Sequence, residues 1–144
     1  MADVAGIKSL IDHYAKKRLL LPRSIADIAT HIRDFLVFEE KKRIVGCVAL
    51  HFCWTDLAEI RSLSVKETMQ GSGIGTELLH HALEEAKQLQ AKKVFTLTSR
   101  QDFFEKNGFK KVEKSELPQK VWTECINCPL FPDCNEVALA KDLL

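Results

Sequence analysis

Apolar residues Val4, Ile7, Leu10, Ile11 and Tyr14 recur every three or four positions in DVAGIKSLIDHYAKKR, the spacing of a helix over 3–18 that buries one face. Asp3 stands where it can cap the first turn, and Lys16, Lys17 and Arg18 suit the negative end of the dipole. After the loop LLLPRS, Ser24 can cap a second helix through IADIATHIRDF, whose stripe is Ile25, Ile28, Ile32 and Phe35. From Phe35 the period shortens. FLVFEE, IVGCVALHFCW and LAEIRSLSV, separated by charged or polar turns, read as three strands of an antiparallel meander. A further helix opens at about Ser72 and carries Ile74, Leu78, Ala82, Ala86 and Leu89 on one stripe. KVFTLTS is a strand, RQDFFEKN a short helix closed by Gly108, FKKV a strand, and VALAKDLL can return as a last strand. Residues 115–135 hold three of the four prolines and form a loop-rich insertion. The order predicts a single α/β (α+β) domain over 1–144, with a mixed, mostly antiparallel sheet flanked by helices.

Composition narrows the classes of function. With 144 residues, 46% hydrophobic and 28% charged, the chain can bury a core of its own, and a net charge of +1 argues against coating nucleic acid. No apolar run approaches the ~18 residues of a membrane span, and the start lacks the pattern of a secretory signal, so a cytoplasmic protein with no membrane partner is expected. Five cysteines are an odd number for a disulfide framework. Cys47 and Cys53 fall on one face of a strand and suit core filling. Cys125, Cys128 and Cys134 give C-x₂-C-x₅-C, a metal-like spacing that lacks a fourth ligand, so no metal is expected there and buried or redox-sensitive thiols are the alternative. His80 and His81 are adjacent on a helix and cannot face one site together.

The most informative stretch joins the strand ending in LSV to the helix after it: Gln70-Gly71-Ser72-Gly73-Ile74-Gly75-Thr76. Glycines let backbone N–H groups approach an anion, and a helix N-terminus adds orphan donors and a positive dipole end, so a phosphate is favoured there; a plain chain-reversing turn is the alternative. A Walker loop is excluded because Thr76 and Glu77 follow Gly75, and a dinucleotide fingerprint because its third glycine would fall on Thr76 and the preceding strand ends a meander.

What remains, Q-G-S-G-I-G, matches Q/R-x-x-G-x-G/A and resembles the coenzyme A pyrophosphate loop of the GNAT (GCN5-related) N-acetyltransferases. The chain after residue 2 resembles a GNAT domain throughout: DVAGIKSLI looks like its first helix, EIRSLSV the strand leading into the loop, and FFEKNGF its helix-to-strand corner. More narrowly, LLPRS, IVGCVALH, LAEIRSL, VFTLTS, FFEKNGF and the Cys-Pro-rich tail are similar to the short stand-alone N-acetylglutamate synthases of bacterial arginine biosynthesis. GNAT domains usually open with a strand, and only Met1 and Ala2 precede the first helix here, so that strand is expected to be missing or a stub.

The resemblance implies acetyl transfer from acetyl-CoA to an amine, with Leu63, Val65, Gln70, Gly71, Ser72, Gly73, Ile74, Gly75 and Thr76 holding the cofactor and the Val65 N–H facing the tetrahedral oxygen. A neutral amine is needed, while an α-amino group with a pKa of ~8 is mostly ammonium near neutrality. Glu59, six residues before Val65, holds the register of the superfamily's general base. On a regular strand Glu59, Arg61, Leu63 and Val65 share a face, where burial would raise a carboxyl pKa; a solvent-facing charge paired with Arg61 is the alternative. The tyrosine that often protonates the leaving thiolate is replaced by Phe104, and the single tyrosine of the chain is Tyr14. Water, a hydroxyl such as Ser99, or no specific acid would then serve, since a thiol leaves readily with a pKa near ~8.5. A glutamate acceptor calls for guanidinium forks on its two carboxylates, with Arg23, Arg61 and Arg100 as candidates, each of which could instead be a surface charge. The expected partner is thus a small-molecule amine; a homodimer is left open. A protein N-terminus or another small amine is the alternative acceptor, and a catalytically idle acyl-CoA-binding or metal-sensing module the alternative class.

Overall fold

The computed structural model describes residues 2–113 and 137–143. Two helices, α1 (Val4–Ala15) and α2 (Ile25–Thr30), precede β1 (Phe35–Glu40), β2 (Arg43–Phe52) and β3 (Leu57–Val65). Then follow α3 (Ile74–Gln88), β4 (Lys93–Thr98), α4 (Gln101–Lys106), β5 (Lys110–Val112) and β6 (Val137–Asp142). Among the described residues the first strand is β1, after both helices. The predicted insertion at 115–135 lies outside them.

The six strands form one sheet in the order β1-β2-β3-β4-β6-β5, antiparallel throughout except for β3 and β4. Helix α3 lies on one face. Its Ile74, Leu78, Leu79, Ala82, Leu83 and Ala86 are buried against Val48, Leu50, Ile60 and Val65, and Phe104 of α4 joins the same cluster. On the other face Ile7, Leu10 and Ile11 of α1 and Ile28 of α2 pack on Cys47. A smaller cluster around Phe95, Ala138 and Ala140 includes the partly buried Cys53.

Local details depart from the sequence pattern for identifiable reasons. Asp3 is itself in a helical conformation and its side chain caps nothing; its carbonyl accepts from the Ile7 N–H instead. Ser24 does cap α2, accepting from the Asp27 N–H at 3.0 Å, but α2 ends at Thr30 and tightens into a 3₁₀ turn at Ile32–Asp34. The stripe predicted through Phe35 is cut short: Ile25 is exposed and Phe35 opens β1. Leu89 is also exposed, because α3 stops one residue before it.

The largest departure is in β3. Cys47 pairs with Ser64 and Ala49 with Arg61, so β3 holds one residue more than β2 between those pairs, and Ser62 takes φ 56°. One extra residue inverts the alternation of a strand. Glu59, Arg61, Leu63 and Val65 therefore do not share a face. Leu63 and Val65 pack on the α3 side with Ile60, while Glu59 and Arg61, on the near side of the bulge, alternate with Ile60 and point the other way.

Candidate active site

The loop after β3 is built for a close approach by an anion. From Val65 the chain passes through a 3₁₀ turn, Glu67–Met69, and enters α3 through Gly71 at φ 83° and Gly73 at φ 88°. A Cβ at either glycine would meet nothing within 4 Å, so backbone conformation rather than crowding requires them. Gly73 caps α3, leaving the N–H groups of its first turn without a carbonyl one turn before them. Those donors and the positive end of the 15-residue helix dipole face a cavity of about 540 Å³.

That cavity opens where two strands part. The parallel pairing of β3 and β4 runs from Leu57↔Lys93 only to Ile60↔Thr96, and the Thr96 hydroxyl donates to the Ile60 carbonyl at 3.0 Å at the parting point. Ser62, Leu63 and Val65 line one wall and Leu97, Thr98 and Arg100 the other, with Gln70, Gly71 and residues 73–76 at the mouth. A rod-shaped ligand could lie between the strands with its anionic part on the helix end. Phe104, at the position where the resemblance expects a tyrosine, lines the cavity at 3% exposure, in edge contact with Phe103 and Phe109; it has no proton to give. The Ser99 hydroxyl oxygen, just past β4, is buried without a hydrogen-bond partner among the described residues.

A polar cluster occupies the opposite side of β3. Glu59 is 5% exposed and accepts from Arg61 Nε at 2.5 Å, so its alternative as a solvent-facing charge does not hold although the pairing with Arg61 does. The antiparallel register sets His51 directly across from Glu59, and His51 Nδ1 lies 3.0 Å from Asp34 Oδ2. Arg23 reaches the bulge, with Nη1 3.4 Å from Ser62 Oγ, Nε 2.7 Å from Asp27 Oδ2, and its guanidinium over the Phe35 ring. That hydrogen bond holds the Asp27 carboxyl below its ordinary pKa. Arg61 is thus held on Glu59, and Arg23 reaches the next residue of the strand, Ser62. Arg100 stands apart, at the mouth of α4 in the cavity, over Phe103.

Cys47 is inert. Burial pushes its thiol up to about 12 from 9.0, consistent with core filling. Among the described residues no His, Cys, Asp and Glu side chains gather as a metal site, and no helix is long and apolar enough to cross a membrane. Cys125, Cys128 and Cys134 lie outside the described residues.

Sequence reasoning missed one residue of this region. Tyr14, on the apolar face of α1, reaches across to the loop: its hydroxyl donates to the Val65 carbonyl and accepts from Gln70 Nε2 at 2.5 Å. Nothing local in the sequence couples residue 14 to residues 65 and 70, and a tyrosine on a helix stripe reads as core.

Comparison with known proteins agrees with the geometry. The model of the acetyltransferase (GNAT) domain matches residues 31–111. An uncharacterized N-acetyltransferase of Chlorobaculum tepidum is 40% identical over 99% of this chain and 92% of its own length. An amino-acid acetyltransferase of Mycobacterium tuberculosis is 37% identical over 85% of this chain and 72% of its own. The structure of N-acetylglutamate synthase from Neisseria gonorrhoeae, complexed with coenzyme A and N-acetyl-glutamate, superposes with a TM-score of 0.91 at 27% identity, covering 100% of this chain and 34% of that one. A loop built around a helix end, a cavity between parting strands and these matches converge: the chain belongs to the GNAT family and is an acetyltransferase.

Proposed function

We propose that the protein transfers the acetyl group of acetyl-CoA to the α-amine of a small amino acid, and that glutamate is the acceptor. The observation that carries the cofactor half is the glycine loop over the mouth of the cavity, with free first-turn donors where a pyrophosphate would sit. The acceptor half rests on Arg61, paired with the buried Glu59, and on Arg23, which reaches the adjacent Ser62. Two guanidinium groups suit an acceptor with two carboxylates.

In this reading the thioester enters from the α3 side and the amine from the α1–α2 side, and they meet where β3 leaves β4. Glu59 takes the ammonium proton, directly or through a water, and the freed amine attacks the thioester carbonyl. The Val65 N–H stabilises the tetrahedral oxygen, the C–S bond breaks as the attacking nitrogen gives up its second proton to solvent, and the departing thiolate takes a proton from solvent. The N-acetylglutamate bound in the Neisseria gonorrhoeae structure supports glutamate as acceptor.

Incubation with acetyl-CoA and each amino acid in turn, following release of free thiol, tests the assignment. Glutamate should give the fastest release; silence with glutamate and release with another amine would overturn the acceptor. Glu59→Gln should lower kcat by about 10²-fold or more while leaving CoA affinity unchanged. An undiminished kcat at every pH would remove Glu59 from the base role.

A further inference from the structure

Tyr14 is 6% exposed and absent from the cavity lining, yet it holds two residues that do line it. Its hydroxyl donates to the Val65 carbonyl and accepts from Gln70 Nε2, so it bridges both ends of the segment 65–70. The peptide plane between Val65 and Lys66 is pinned twice, because the Lys66 N–H donates to the Val45 carbonyl at 2.7 Å. Around this bond the end of α1 reinforces the grip. Lys17 Nζ lies 2.5 Å and His13 Nε2 3.3 Å from the Glu67 carboxylate. Those two pairs are solvent-exposed and contribute little. The buried hydroxyl is the stronger tie, since a lost bond there leaves a carbonyl unsatisfied away from water.

We propose that Tyr14 is the positioning residue of the coenzyme loop, clamping Val65 and Gln70 from helix α1 so that the donors of residues 65–76 are preorganised before the nucleotide binds. This rests on the reading of that loop as the coenzyme cradle. Tyr14 is not a proton donor to the reaction: its own proton is committed to the Val65 carbonyl. Burial also raises the phenol above its ordinary value of 10.0, which keeps that proton in place. A preformed site binds more tightly than one ordered at the moment of binding.

The test is Tyr14→Phe, which keeps the ring in the core and deletes both hydrogen bonds. Calorimetry with CoA and steady-state kinetics on the full chain should show Kd for CoA and KM for acetyl-CoA raised about tenfold, equivalent to ~1.4 kcal/mol, with KM for the acceptor unchanged. Gln70→Met cuts the tie from the exposed loop side and should weaken CoA binding even if the phenylalanine variant folds poorly. Because the two act through one contact, the double variant should lose less than the product of the two single losses. Wild-type binding of CoA with unaltered Kd and KM in Tyr14→Phe would overturn the clamp alone, as would single losses that multiply. Absence of any heat with the wild-type protein would overturn the cradle, and the clamp with it.

Discussion

Gly71 and Gly73 give the loop its shape by conformation alone. Both have φ in the left-handed region, and both face open space, so a methyl group added at Gly73 costs only backbone strain. Gly73→Ala should therefore destabilise the protein by about 1–2 kcal/mol in urea unfolding without ligand, and Gly73→Asn by less, because asparagine tolerates this region. These positions were legible in the sequence: glycine, helix start and preceding strand are all local. Tyr14 was not, because its two partners lie 51 and 56 residues away and its own neighbours mark it only as apolar. Nor was the burial of Glu59 at 5%, which depends on how the sheet is covered.

At the scale of the element, α3 is the clearest case of a pattern that predicts its own packing. The stripe found Ile74, Leu78, Ala82 and Ala86, and the structure adds Leu79 and Leu83 because the helix is covered over a wider arc than one row. Leu79 is fully buried and Leu89 exposed. Leu79→Ala should cost about 2–5 kcal/mol of unfolding free energy, while Leu89→Ala stays within about 0.5 kcal/mol; comparable losses at both would contradict the packing described. Strand β3 is the opposite case. Its bulge falls on Ser62, with no glycine to announce it, so the period-two reading set Glu59 and Val65 on one side when they belong on two. In the proposed reading, that division gives one strand a coenzyme side and an acceptor side.

For the whole molecule, fold class and strand identity followed from alternating patterns and turn chemistry, whereas the central parallel pairing of β3 with β4 follows from how helix α3 crosses over and is not written in either strand. CoA held between those strands should stabilise the folded state by mass action: about 2.7 kcal/mol at a concentration one hundred times Kd, seen as a melting temperature that climbs with ligand concentration. A flat thermal response up to millimolar CoA would count against the cleft as its seat.

The early end of the β3–β4 ladder at Ile60 and Thr96 has one more consequence. Among the described residues, the sheet's two flanks, β1-β2-β3 and β4-β6-β5, share four paired strand positions over a common core, so the sheet is built like a clothes peg, sprung at one end and open at the jaws. Amide protons beyond the spring should exchange with deuterium sooner than those within it, and a guest gripped by the jaws should slow them, making the reaction's own substrate the missing rung that lends the sheet its rigidity.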